Sequence, residues 1–326
     1  MTTTPRGNRV GVAGSWARTA LPDPLGTALY DAANELTQRD AMLPTYDADG
    51  NLTSDGVNSY VWNARNQLAS LNGAGGPASF QYDSFGRRTR KVVNGTATEF
   101  LYDRLNPVEE LSQGVLQVNL LNGLRVDEHF ARTDSAATSS FLTDGLGSTL
   151  ALADAGGTVQ TAYTYEPFGR ATVSGSTPAN AFQYTGRESD GTGLYYYRAR
   201  YYSPTWGRFV SEDRGAIAPA SPYRFIDRDL PQVLVGKNLY EYANDSPLVF
   251  TDPLGLYPIC PPASHPQFEC ELLFQNIYED RERYYFFGLS CLVVQNPFLT
   301  PIFCGGLGAT AGNNVNHSYV CVQDHP

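Results

Sequence analysis

A short unit opening on Tyr-Asp recurs along the first third of the chain, and it constrains the fold more than any other feature. Tyr30-Asp31 runs to Asn34, Tyr46-Asp47 to Gly50, and Tyr82-Asp83 to Gly86; Tyr102-Asp103 repeats the opening, and Tyr60 to Leu68, with Trp62-Asn63 and Asn66, is a worn copy. Successive starts lie 16, 14, 22 and 20 residues apart. That irregularity suits hairpins with outer loops of variable length better than the fixed coil of a solenoid. An aspartate followed two or three residues later by Gly or Asn reverses the chain, because its carboxylate bonds local N–H groups and the later residue tolerates positive φ. Stretches such as 78–82 and 98–102 alternate apolar and polar residues, as strands with one buried face do. Tyrosines at matching register are expected to stack across neighbouring strands.

Composition supports a mostly β chain. Its 21 tyrosines are about twice ordinary usage and favour a pleated surface. The 31 glycines and 21 prolines imply frequent turns but fall short of a disordered or collagen-like composition. A formal charge of −10 argues against phosphate backbones and anionic lipid surfaces, so no nucleic-acid partner is expected. Residues 1–24 carry Arg6, Arg9 and Arg18 but no apolar stretch of secretory-signal type, so export is expected by a route without a signal peptide. Further along, the runs from Phe141 to Ser148, Tyr163 to Arg170, Phe182 to Arg187 and Leu194 to Tyr202 read as more strands of one sheet.

From Gly193 to Leu256 the motifs become ordered: Tyr196-Tyr197-Arg198-Ala199-Arg200, Gly207-Arg208-Phe209, Ser211-Glu212-Asp213, Asn238-Leu239-Tyr240, Asn244 to Pro247, and Asp252-Pro253-Leu254-Gly255-Leu256. This run resembles the Rhs-repeat-associated core that closes bacterial polymorphic toxins and the shell subunits of insecticidal toxin complexes. The upstream Tyr-Asp units resemble the repeats of the same Rhs/YD-repeat family. The resemblance implies an all-β fold: a sheet strip that spirals into a hollow shell, with the core turned inward as a plug. It further implies an intramolecular aspartic autoprotease cutting after the leucine of Asp-Pro-x-Gly-Leu, here between Leu256 and Tyr257.

Peptide hydrolysis by carboxylates needs two of them close together, so that one holds a proton while the other is ionised. Asp213 and Asp252 match the aspartates of the core, and Arg200, matching its upstream arginine, would stabilise charge developing on the scissile carbonyl. Read without the resemblance, Asp252 to Gly255 also fits a plain type I turn, and Arg200 with Asp213 an ion pair. Asp213 is followed by Arg214 rather than the core's proline, and the link from Ala216 to Lys237 is longer and more polar than the family's glycine-rich one.

All five cysteines, Cys260, Cys270, Cys291, Cys304 and Cys321, lie beyond residue 259, which marks a separate tail and offers disulfides such as Cys291 with Cys304. Two arginines against six carboxylates in this tail exclude a basic nuclease. Phe268 to Tyr285 has a helical apolar pattern with Glu279 and Arg283 at i,i+4. From Tyr284 to Gln323 no charged residue occurs, which fits a cysteine-stapled helical hairpin, or a membrane-inserting one, though prolines interrupt it. His265, His317 and His325 lack the spacing of structural zinc sites, and isolated His129 reads as a surface or packing residue. Neither metal nor cofactor is expected.

The expected organisation is therefore an extension at 1–27, repeats at 28–192, the core at 193–256 and a helical, cysteine-containing tail at 257–326. The expected function is a bacterial, secreted or surface shell fragment that frees a toxin-like or effector segment. Its expected partners are a larger shell or delivery machinery and an immunity protein. The rival reading is a non-enzymatic repeat protein with a degenerate core that binds glycans or proteins at a target surface.

Overall fold

The computed structural model describes the backbone at residues 2–3, 9–11, 25–175, 180–213, 238–256, 258–259, 268–271, 276–280, 283–287 and 320–323. Residues 45–175 form one fourteen-stranded antiparallel sheet in which every strand pairs with its sequence neighbours, from Thr45–Tyr46 at one edge to Ala171–Gly175 at the other. A further hairpin, Ala28–Tyr30 with Leu36–Arg39, precedes it.

The turns follow the sequence rule closely. Asp47 Oδ1 accepts from the N–H groups of Asp49 and Asn51, both at 2.9 Å, and Asp83 Oδ1 accepts from Phe85 and Arg87, both at 2.9 Å. Asp31, Asp144 and Asp154 make the same pair of bonds, and Asn63 makes them in the worn copy. The residue three after the aspartate takes positive φ, +71° at Gly50 and +58° at Asn66, which is why Gly or Asn stands there. Tyr102-Asp103 differs: Asp103 pairs directly with Asn106 across a two-residue turn with Arg104 at φ +53°.

Tyr82, Tyr102 and Trp62 of the worn copy do something other than stack on their neighbours. Tyr82 Oη donates to the Leu68 carbonyl at 2.8 Å and Tyr102 Oη to that of Arg88 at 2.9 Å, while Trp62 Nε1 donates to that of Leu52 at 2.7 Å. The aromatic residue thus ties its hairpin to the preceding one and satisfies a carbonyl beside a register shift in the ladder. Six residues after Tyr30, Tyr46 and Trp62 stand Leu36, Leu52 and Leu68, each 1% exposed or less. Six after Tyr82 stands Arg88, 0% exposed.

The segments at 182–187 and 194–202 are not continuations of the strip. Phe182 to Arg187 is mostly turn, with a 3₁₀ segment at Tyr184–Gly186, and residues 188–209 make a separate four-stranded sheet. Tyr195, Tyr196 and Tyr197 are all buried because both faces of this sheet are covered. Tyr196 and Tyr201 join the strip's Leu36, Leu52, Leu68 and Phe80 in one core, and Tyr197, Tyr202, Phe209 and Tyr242 form another behind them. The inserted sheet is a plug, and its ring contacts reach across to the strip, as between Phe80 and Tyr201 at 5.3 Å.

Arg88 is the polar bolt between the two layers. It pairs with Glu188 at 2.5 Å and with both oxygens of Asp190, while its guanidinium lies 4.2 Å from the Tyr196 ring centroid. His129 is a packing residue, its ring centroid 4.4 Å from that of Phe182. Burial, with Arg187 and Arg198 close by, outweighs Asp127 and the Gly186 carbonyl and pushes its pKa down to about 4.

The tail corrects one expectation. Its described segments are strands, with Phe268–Glu271 paired to Val320–Gln323 and Asn276–Asp280 to Arg283–Phe287, so no helix spans Phe268 to Tyr285. The aromatic run Tyr284 to Phe287 favours pleated strands, and in the hairpin register Arg283 is the partner of Asp280 while Glu279, four residues before it, is the partner of Tyr284. Cys270 is the register partner of Cys321. Cys260, Cys291 and Cys304, the three tail histidines and most of the uncharged stretch lie outside the described residues.

Candidate functional site

The turn between two plug strands, Tyr195–Tyr197 and Arg200–Ser203, places Arg198, Ala199 and Arg200 against the Asp252-to-Leu256 loop. Each of the three holds one successive carbonyl of that loop. Arg198 Nη1 donates to Pro253 O at 2.5 Å, Ala199 N to Leu254 O at 3.1 Å, and Arg200 Nε to Gly255 O. Gly255 has φ +69°, and a Cβ there would sit 2.5 Å from Tyr197 O, so the approach of loop to plug requires glycine. The loop also closes on itself: Gly255 N donates to Asp252 O at 3.2 Å, and Leu256 N donates to Asp252 Oδ1 at 2.9 Å. Beyond it, Ile259 and Thr251 exchange backbone hydrogen bonds of 2.6 and 2.9 Å, which holds Ile259 beside the residue that precedes Asp252.

Arg200 joins the two predicted aspartates. Its Nη2 lies 3.3 Å from Asp213 Oδ2 and 3.4 Å from Asp252 Oδ2. Nη1 donates to Leu239 O at 2.8 Å, and the guanidinium carbon stacks 3.6 Å from the Phe209 ring centroid. Asp213 is itself fixed by its N–H on Leu239 O at 3.0 Å. All three side chains are buried. One guanidinium thus faces two buried carboxylates, the arrangement from which carboxylate acid–base chemistry starts. A cleft lined by Arg200, Asp213, Asn238, Leu239, Glu241, Asn244, Asp252, Leu256 and Pro258 opens from this cluster.

All three predicted polar residues and Leu256 therefore lie in one place; Tyr257 lies outside the described residues. The sequence reading missed Arg198 and its partner Asp127. Arg198 donates to both carboxylate oxygens of Asp127, at 2.7 and 2.9 Å, and to Leu105 O at 3.1 Å. Arg187 Nη1 meets the same carboxylate at 2.5 Å. Burial raises the Asp127 pKa, but these two guanidiniums together bring it below the usual carboxylate range. The available signal was the doubled arginine of Arg198-Ala199-Arg200 inside an otherwise tyrosine-rich, buried run, since each buried cation needs a carboxylate or carbonyl partner.

The family model described as Teneurin YD-shell matches residues 24–248; that span includes Arg200 and Asp213 and stops short of Asp252. Among curated proteins, the tRNA3(Ser)-specific nuclease WapA of Bacillus spizizenii is 30% identical over 246 residues, 70% of this chain and 10% of its own length. Toxin subunit YenC2 of Yersinia entomophaga is 35% identical over 111 residues, 32% of this chain and 10% of its own length. A crystal structure of TcdB2-TccC3 without its hypervariable C-terminal region is similar at TM-score 0.48 and 19% identity, covering 71% of this chain and 13% of that one. The chain spans about a tenth of the length of the curated relatives it matches.

Proposed function

The chain belongs to the Teneurin YD-shell family, and from that premise we propose that it is the closing part of a toxin shell whose plug cuts its own backbone after Leu256. The observation that carries this reading is one guanidinium nitrogen shared by Asp213 and Asp252, with Asp252 also bonded to the N–H of Leu256. In the reaction one carboxylate takes a proton from water as the oxygen attacks the Leu256 carbonyl. The other, protonated, donates to the carbonyl oxygen, and Arg200 offsets the charge that develops. The C–N bond to Tyr257 then breaks as its nitrogen gains a proton, so one water is consumed and the carboxylates return to a single shared proton. Loop and catalytic groups belong to one chain, so proximity is supplied by folding.

Residues 257–326 are the released segment in this reading. Relatives named as a tRNA nuclease and as toxin subunits support its being a toxin-like or effector cargo. Such a cargo calls for a bacterial, secreted setting, with further shell, delivery machinery and an immunity protein as its partners. Purified protein is expected to run as two pieces, the smaller about 8 kDa when scaled from the 35.6 kDa chain by length. Asp213→Asn and Asp252→Asn are each expected to stay whole. A wild-type chain that keeps its full mass after native folding would reduce the Arg200 cluster to a structural staple, and the surface-binding reading would replace the protease.

A further inference from the structure

The same loop is held from the other side by residues with no role in the chemistry above. Pro253 O, next to the Asp252 carbonyl that begins the turn, is bonded by Arg198, and Arg198 is gripped by two turns of the strip rather than by the plug. Those grips are Leu105 O and the Asp127 carboxylate, 93 and 71 residues away in sequence. The two turns are themselves joined, since Asp127 N donates to Asn106 Oδ1 at 3.0 Å. Asp127 also holds Arg187, whose Nε and Nη2 donate to Tyr196 O at 3.1 and 2.7 Å within the plug. Gly186 passes so close that a Cβ would meet Asp127 O at 2.9 Å. Arg198 is buried and sits at φ +60°, in a conformation costly for an arginine and maintained by these contacts.

We infer that Arg198 is a positioning residue through which the docked strip turns at Leu105 and Asp127 set the Asp252-to-Leu256 loop, making self-cleavage conditional on closure of the strip around the plug. The inference rests on the proposed cleavage and adds its regulation. An undocked strip leaves Arg198 without Asp127, and a buried guanidinium without its carboxylate withdraws toward water. Pro253 O is then released and the loop loses the outermost of its three anchors, while Arg200 keeps its own bonds to both aspartates. A shell that is not yet closed would in this way retain its cargo.

The test uses the full chain. Arg198→Ala and Asp127→Asn are each expected to slow appearance of the small fragment about 100-fold, the scale set by an ångström-sized misplacement of reacting groups. Ethylguanidinium added to Arg198→Ala is expected to restore part of the rate, which a merely loosened fold would not allow. Arg198→Lys provides a milder second variant should the others fold poorly, with an intermediate rate. In an Asp213→Asn background, where the chain stays whole, Asp127→Asn is expected to speed hydrogen exchange at the Ala199, Gly255 and Leu256 amides while leaving the sheet at 45–100 protected. Wild-type cleavage rates in both variants, or unchanged exchange at those three amides, would overturn the gate. An uncleaved wild type would instead overturn the protease reading, and the exchange measurement would still decide whether strip and loop are coupled.

Discussion

Arg88→Leu should be strongly destabilising even though it installs the residue that three other units carry at this position. Leu36, Leu52 and Leu68 fill the equivalent sites, six residues after the unit's aromatic, and are fully buried. By repeat logic alone the substitution should be neutral or favourable. Across the layer, however, stand Glu188 and Asp190, both buried, and Arg88 supplies Glu188 at 2.5 Å and both oxygens of Asp190. Only Lys91, 3.1 Å from Asp190, would remain. Removing one partner of a buried ion cluster costs about 3 to 5 kcal/mol, because the remaining charges stay desolvated. For a domain of this size that lowers Tm by about 10 °C, read by calorimetry or circular dichroism at pH 7. The cost should also shrink in acid. Burial pushes the Asp190 pKa up, but Arg88 and Lys91 together hold it below the usual range, so the wild type loses that contribution as pH falls through the folded pKa. In the variant burial prevails at Asp190, its carboxylate protonates more readily, and the gap between the two proteins narrows. Adding Glu188→Gln and Asp190→Asn to Arg88→Leu should recover about 2 kcal/mol by removing the stranded charges. A single variant within about 1 kcal/mol of wild type at pH 7, or a gap that widens on acidification, would refute the reasoning.

Gly255→Ala should cost about 1 to 2 kcal/mol for its left-handed backbone and more for the clash with Tyr197 O, and should slow fragment release in a timed gel assay by displacing Leu256. His129, held down to about 4 by burial first and by Arg187 and Arg198, contributes stability that is fully present above its unfolded pKa near 6.5 and is lost as pH falls toward 4. The total loss over that range amounts to about 3 kcal/mol, and denaturation of His129→Gln across it should show the pH dependence flattened.

What could be read directly from the chain was local. An Asp47 or Asp83 turn is completed by N–H groups two and four residues on, so its geometry is encoded within five residues and survives in any context. Asn63 can replace the aspartate because its Oδ1 accepts the same two bonds. The ordered motifs also named Arg200, Asp213, Asp252 and Leu256 as a group, because each belongs to a recognisable string.

Sheet membership and electrostatic pairing were decided by the tertiary structure. Leu194 to Tyr202 has the aromatic content of a strip strand, yet it builds the plug, because hydrogen-bonding partners of a strand are chosen by packing rather than by its own pattern. The helix expected at Phe268 to Tyr285 failed for a related reason, since a short apolar run with i,i+4 charges fits a hairpin equally well. Arg88 looks like a worn leucine position until Glu188 and Asp190 arrive from 100 and 102 residues away. Asp127 is an ordinary turn residue until Arg187 and Arg198 close on it. A hairpin's turn is determined by neighbours along the chain; a buried charge is stable only beside an opposite charge that folding alone can deliver.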